Sequence, residues 1–128
     1  MSPPRLPLVL ASGMLCDAGA WAAVVPGLED LADIHVADYG ASRSMTAMAE
    51  ALLDRAPPLF ALAGHSMGGR VALEAWRLAP HRIAGLALIG TEHRPAPQGE
   101  AGEREAAGRL RLLELARASG MTAVGEAW

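Results

Sequence analysis

Between Leu59 and Ala79 three kinds of sequence meet without a spacer. Leu59-Phe60-Ala61-Leu62-Ala63 is a short apolar run with the length and character of a buried strand. Gly64-His65-Ser66-Met67-Gly68 is a G-x-S-x-G pentapeptide, and Gly69 adds a third glycine. Met67 to Ala79 then carries helical periodicity and stops at Pro80. A chain that leaves a strand and enters a helix within so few residues has few conformations open to it. The serine at the apex is forced into a strained backbone conformation that lifts its hydroxyl clear of the turn. Side chains two positions before and after it would collide with the neighbouring strand or helix, and Gly64 and Gly68 remove them. The helix aims its free N–H groups and the positive end of its dipole back at the serine. The N–H of Met67 is thereby placed to receive a developing oxyanion. Ser66 is the candidate nucleophile.

Composition removes several alternatives. Hydrophobic residues make up 52% of the 128 and charged residues 20%, which argues against disorder. The net charge is −3 and the basic residues form no stripe, so nucleic acid is not an expected partner. The single cysteine, Cys16, excludes an intrachain disulfide framework and is expected to pack as a small hydrophobe. No apolar stretch reaches the roughly 18 residues of a membrane span. The run near the start is interrupted by Pro7 and followed by Gly13, so it reads as a strand rather than a signal peptide. A cytoplasmic protein with no membrane partner is expected.

Along the chain, strand-length and helix-length patterns alternate. Strands are expected at Leu8 to Ala11, Ile34 to Ala37, Leu59 to Ala63 and Ile83 to Ile89. Helices are expected from Asp17 to Leu28, weakened at its end by Pro26-Gly27, from Met45 to Arg55 behind an N-cap at Ser44, and from Met67 to Ala79. A polar stretch from Thr91 to Gly99 precedes a charged amphipathic helix, about Glu100 to Ala118; Ser119-Gly120 breaks it and Met121 begins another. Strands alternating with helices imply right-handed crossovers and a parallel sheet covered on both faces.

Residues Leu6 to Arg94 resemble the α/β-hydrolase superfamily. The segments that carry the resemblance are Leu8-Val9-Leu10-Ala11-Ser12-Gly13-Met14, Asp38-Tyr39-Gly40, Gly64-His65-Ser66-Met67-Gly68-Gly69 and Leu86-Ala87-Leu88-Ile89-Gly90-Thr91. The wording of the elbow is similar to that of the small esterases and cofactor-free perhydrolases. The resemblance implies a three-layer α/β sandwich with a four-stranded parallel sheet in the order 2-1-3-4. It divides the chain into the N-terminal half of a hydrolase core, residues 1–94, and the start of a helical cap, residues 95–128.

By the same resemblance Ser66 matches the nucleophile, Met67 the oxyanion donor after it, and Met14 the second donor. Ser12-Gly13 stands where family members usually carry His-Gly. Asp38 matches a turn-capping position. His65 matches a residue that packs below the elbow, away from the serine hydroxyl. The acid and histidine of the family's triad follow strands later than the fourth, so the chain reads as incomplete. Among its four histidines only His93, beside Glu92, lies just past a strand's carboxyl end on the rim of Ser66, and it is the one local candidate base.

These features point to ester hydrolysis through an acyl-enzyme on a small acyl substrate, with Met14, Leu15, Trp21 and Met67 as apolar lining. The alternative is a non-catalytic fragment that survives as a binding or assembly protein. No cofactor and no metal are implied. Leu86 to Ile89 would form an open apolar edge, so a homo-oligomer through that edge or through the lid helix is expected.

Overall fold

The computed structural model of the chain describes residues 3–128. These fall into two compact units, one ending at His93 and the other running from Arg94 to Trp128.

The first unit is built on a parallel sheet of β1 (Pro7–Ala11), β2 (Asp33–Val36), β3 (Phe60–His65) and β4 (Ile83–Ile89), in the order β2-β1-β3-β4. Leu8 pairs with Ile34 on one side and Ala61 on the other, and Gly64 and His65 of β3 pair with Leu88 and Ile89 of β4. The order expected from the resemblance is the order found.

Strand alternation sorts the core into two layers. Val9 and Ala11 of β1 and Phe60 and Leu62 of β3 face one side. There they pack with Ala49, Leu52 and Leu53 of α2 (Met45–Arg55) and Val71, Ala72 and Ala75 of α3 (Met67–Leu78). Leu10 and Ala63 face the other side and meet Trp21, with Val25, Ile34 and Val36 beside them. Helical segments therefore cover both faces of β1 and β3, which is the three-layer arrangement.

The helix expected from Asp17 to Leu28 is not continuous. Asp17 caps a 3-10 turn, Ala18–Trp21, its carboxylate accepting the N–H of Gly19 at 2.8 Å. A single α turn, α1 (Val25–Leu28), follows with Pro26 in its first turn. The break has a local cause. Pro26 lacks the N–H that would close the previous turn and is tolerated only where a helix begins. The indole of Trp21 stays in the core although the helix is broken.

Two side chains tie α2 into place. Ser44 caps it, accepting the N–H of Ala47 at 3.1 Å, as its sequence position implies. Arg82, after α3, donates to the carbonyls of Ala56 and Pro57 at 3.0 Å each and lies over the ring of Phe60. Across the pair of helices Glu74 accepts from Thr46 of α2 at 2.8 Å and from Arg77 of its own helix. The Arg77 bonds, then the Thr46 bond, hold the Glu74 carboxyl down to about 2, against an ordinary value of 4.5. A depressed folded-state pKa stabilises the fold above the unfolded value and loses that contribution as pH falls. Acid titration of stability is therefore expected to fall between about pH 4.5 and pH 2, and Glu74→Gln is expected to flatten that part of the curve. An unchanged acid limb in Glu74→Gln, followed by circular dichroism, would remove Glu74 from the account.

The apolar composition of β4 suggests a strand buried on both faces, but Ala84 to Ile89 are exposed. Ile83 alone joins the core. β4 is the last strand of the sheet, hydrogen-bonded only to β3 among the described residues.

The second unit holds α4 (Gly99–Ala127). The break expected at Ser119-Gly120 is present as a kink: Gly120 has φ 82° and ψ 176°, a region open essentially to glycine alone, and the helix resumes after it. Leu110, Leu113 and Met121 are exposed along it, and Arg104–Glu100 and Arg109–Glu105 pair one turn apart. No helix among the described residues is long and apolar enough to cross a membrane.

Candidate active site

Ser66 is the only residue between the end of β3 and the start of α3. The strand runs two residues beyond the expected Ala63, because Gly64 and His65 remain paired to β4. The whole reversal therefore falls on one residue, and Ser66 takes φ 55° and ψ −122°. A side chain with a Cβ rarely adopts such a positive φ, and holding it there costs of order 1–3 kcal/mol. Surrounding bonds hold it. The Ser66 N–H donates to the Ile89 carbonyl at 3.0 Å. Its carbonyl accepts from the Thr91 hydroxyl at 2.7 Å and from the Gly69 N–H at 2.9 Å. The residue is exposed, at the carboxyl ends of the strands.

The glycines around it are there for contact distance. A Cβ on Gly64 would lie 2.4 Å from the Gly68 carbonyl oxygen and 2.7 Å from the Gly69 Cα. One on Gly68 would lie 2.0 Å from the Ala11 carbonyl oxygen, at the end of β1. One on Gly69 would strike the Thr91 side chain at 2.5 Å. Real Cβ contacts essentially never come below 3.0 Å. The elbow is packed against the backbone of β1 and of its own helix and against the Thr91 side chain after β4, and this closeness holds Ser66 in its conformation.

Met67 opens α3, so its N–H has no acceptor in its own helix. Met14 lies in a turn across the crevice, where the Cys16 N–H donates to the Gly13 carbonyl at 3.2 Å and Leu15 takes φ 63°. Gly13 lies against Ser66, since a Cβ there would be 3.2 Å from the Ser66 Cβ. The loop bearing Met14 and the residue bearing the hydroxyl are thus neighbours.

Other sequence expectations need correcting. His65 is exposed rather than packed beneath the turn, with its ring edge-on to Trp21 at 6.4 Å between centroids and 86° between planes. Cys16 is exposed, not a packed hydrophobe. Trp21, expected as apolar lining, is buried, and its indole N–H donates to the Ser12 hydroxyl at 2.9 Å. Met14 and Leu15 are exposed. His93 is turned to its neighbour: its backbone N–H donates to the Glu92 carboxylate at 2.9 Å and its imidazole lies 3.4 Å from the same carboxylate. Among the described residues no imidazole is hydrogen-bonded to the Ser66 hydroxyl. Asp38 caps its turn by accepting the Gly40 N–H at 2.8 Å; that bond, then Arg55, holds its carboxyl below the usual range.

Two parts of the site escaped the sequence reading. Thr91 and Tyr39 stood there only within the segments that carry the resemblance, with no role of their own. Tyr39 donates its hydroxyl to the Ser12 carbonyl at 3.0 Å, across 27 residues of sequence. No local pattern announces a contact of that span.

No group of His, Cys, Asp and Glu among the described residues is arranged to hold a metal ion. A groove of about 730 Å³, lined by residues including Ala18, Val25, Ile34 and Val36, lies on the β2 side of the sheet and includes none of the elbow residues.

Known proteins give the same picture. No family model matches the sequence. Over 92 residues, 66% of the chain, it is 34% identical to a pimeloyl-[acyl-carrier protein] methyl ester esterase of Nitrosomonas europaea. Over 101 residues, 73% of the chain, it is 36% identical to the protein so named in Sodalis glossinidius. The matched region spans 36% and 39% of the lengths of those relatives. A thermophilic esterase of Thermogutta terrifontis superposes on 93% of the chain with a TM-score of 0.70 and 29% identity, 47% of that chain being covered. A structure described among carboxylesterases of Nitrososphaera gargenis superposes on 96% of the chain with a TM-score of 0.75; at 19% identity it speaks for the fold, and 49% of it is covered.

Proposed function

The chain belongs to the α/β-hydrolase superfamily, and from that membership we propose that it carries the nucleophile and oxyanion hole of a carboxylic ester hydrolase. The Ser66 oxygen attacks the ester carbonyl carbon and passes its proton to solvent water. The carbonyl oxygen becomes an oxyanion held by the N–H groups of Met67 and Met14. Collapse of the tetrahedral intermediate expels the alcohol, which takes up a proton, and leaves an acyl-enzyme that water hydrolyses to the carboxylic acid. The observation that carries the proposal is the single-residue reversal at Ser66, held at positive φ by contacts to β1, β4 and α3. The relatives' name suggests the substrate, a methyl ester of an acyl chain borne on acyl-carrier protein, rather than only a free small acyl compound. We assign residues 95–128 to the start of a helical cap.

The test is a fluorophosphonate, which phosphonylates an activated serine with loss of fluoride. It is expected to label the chain once, at Ser66 by peptide mass, and not to label Ser66→Ala. Without a positioned base the label should form slowly, since loss of the triad's base costs about 10⁴- to 10⁶-fold in turnover. The rival reading is a non-catalytic binding or assembly protein. It prevails if labelling at Ser66 is no faster than at other serines.

The exposed strand supports one further expectation. Ile83 to Ile89 contains no charge and no proline to blunt its edge, and Leu86, Leu88 and Ile89 are exposed. We propose that a second copy pairs with β4, with no nucleic acid or membrane involved. Sedimentation equilibrium is expected to show a dimer that Leu88→Lys converts to monomer; a monomer at high concentration before substitution would end the idea.

A further inference from the structure

Two peptide groups flank Gly13, and each has its carbonyl anchored. The Ser12 carbonyl accepts the Tyr39 hydroxyl at 3.0 Å. The Gly13 carbonyl accepts the Cys16 N–H at 3.2 Å. A trans peptide is planar, with its N–H opposite its C=O, so fixing a carbonyl fixes the direction of the N–H across the same bond. The Gly13–Met14 N–H therefore points away from the interior of its turn. This N–H is the donor assigned above to the oxyanion.

The anchors converge from three parts of the chain. Ser12 is 2% exposed at the end of β1. Its hydroxyl accepts the Trp21 indole N–H at 2.9 Å, which ties it to the 3-10 turn on one face of the sheet. Its carbonyl is tied to Tyr39, in the loop between β2 and α2, and a methyl on Gly68 would lie 2.6 Å from that same carbonyl oxygen. Gly13, the next residue, is the one pressed against the Ser66 Cβ.

We propose that Tyr39 and Trp21, acting through Ser12, form a clamp that fixes the Ser12–Gly13 peptide and, together with the Cys16 N–H on the Gly13 carbonyl, sets the orientation of the Met14 N–H over Ser66. Tyr39 is a positioning residue; it touches no reacting atom. Burial pushes the Tyr39 phenol up to about 12, so it remains a donor at every pH at which an ester hydrolase is assayed. The hydroxyl of Ser12 does for this loop what a hydrogen-bonding side chain must do at that position: it accepts from the indole and keeps the strand end in register with the elbow. The clamp rests on the proposed acyl-transfer reading for its purpose, but not for its existence.

The test compares the full chain with Tyr39→Phe, which deletes one hydroxyl and keeps the ring, with Ser12→Ala as a second variant, and with Thr46→Val, remote on α2, as a control. Amide ¹H–¹⁵N spectra and hydrogen exchange report the loop directly. Hydrolysis of p-nitrophenyl acetate, less that of Ser66→Ala, reports the site. In Tyr39→Phe the Gly13 and Met14 amide resonances are expected to shift and broaden and their exchange to quicken. The Ser66-dependent kcat is expected to fall about 10- to 100-fold with KM within twofold, because a misdirected donor is lost to the transition state and not to ground-state binding. Thr46→Val is expected to change none of these. If the Gly13 and Met14 amides are unmoved in both Tyr39→Phe and Ser12→Ala, the clamp is overturned, whatever the activity. If the unsubstituted chain shows no Ser66-dependent turnover, the acyl-transfer reading fails, and the amide measurement still decides the clamp.

Discussion

Gly68→Ala is expected to disassemble the elbow. The added methyl would sit 2.0 Å from the Ala11 carbonyl oxygen, 2.5 Å from the carbonyl carbon and 2.6 Å from the Ser12 carbonyl oxygen. All three are backbone atoms at the end of a strand bonded on both sides, so no side chain can swing away. Overpacking that a core can accommodate costs about 1–3 kcal/mol; an overlap with fixed backbone belongs at or above the top of that range, about 3 kcal/mol or more. A domain of this size has about 5–15 kcal/mol in total. Urea unfolding is therefore expected to show a large drop in midpoint, with loss of fluorophosphonate labelling in whatever remains folded. Gly27→Ala is the control, since a Cβ there meets nothing within 4 Å, and its effect should stay within about 0.5 kcal/mol. Equal midpoints for the two variants would mean that α3 does not approach β1 as described.

The second large effect has opposite signs for stability and chemistry. At φ 55° and ψ −122°, Ser66 occupies the mirror image of the ordinary extended region, which glycine enters as readily as its opposite. Ser66→Gly is expected to abolish covalent labelling. It is also expected to raise stability by about 1 kcal/mol, the relieved strain exceeding the added freedom of the unfolded chain. Ser66→Ala, which keeps the Cβ, should abolish labelling with almost no gain. If Ser66→Gly proves less stable than Ser66→Ala, the strain at the elbow is not real. The gap between the two variants measures what the fold gives up to present a hydroxyl at that point.

The elements best read from sequence are those whose signals are local. α2 has its N-cap at Ser44 and its stop at Pro57-Pro58, and runs from Met45 to Arg55 as the pattern indicates. β4 and the break at Gly120 likewise follow from residues within one turn or one strand. The region from Asp17 to Leu28 misled for an instructive reason. Trp21, Val24, Val25 and Leu28 keep helical spacing because they must face one layer, but Pro26 denies the backbone the bond that would join them. Apolar periodicity records which way side chains face; it does not guarantee an unbroken ladder. β4 shows the complementary failure. Its composition suits a covered strand, yet cover depends on what else packs there, and Leu86, Leu88 and Ile89 are exposed.

At the site the division is the same. The turn at Ser66 and its glycines were legible because strand, turn and helix meet within a few residues, so sterics alone dictate the residue types. The setting of His93 was not: it follows β4, but its exposed side chain turns to the nearest charge, and Glu92 is adjacent. His65 took the surface beside Trp21 rather than the space below the turn, where Gly64, Gly68 and Gly69 bring backbones too close to admit an imidazole.

What the sequence determined by itself was the bend: three glycines, one serine and two flanking periodicities permit one local geometry, because the excluded volume of a Cβ acts over a few ångströms and a few residues. What only the tertiary structure decided was everything that faces the bend. Ser12, Trp21, Tyr39 and Thr91 come from four separate segments, and their hydrogen bonds exist because the sheet order places the ends of β1, β3 and β4 side by side. A hydrogen bond needs its partners within about 3 Å, and residues 25 or 27 apart in the chain meet that condition only after the strands have paired.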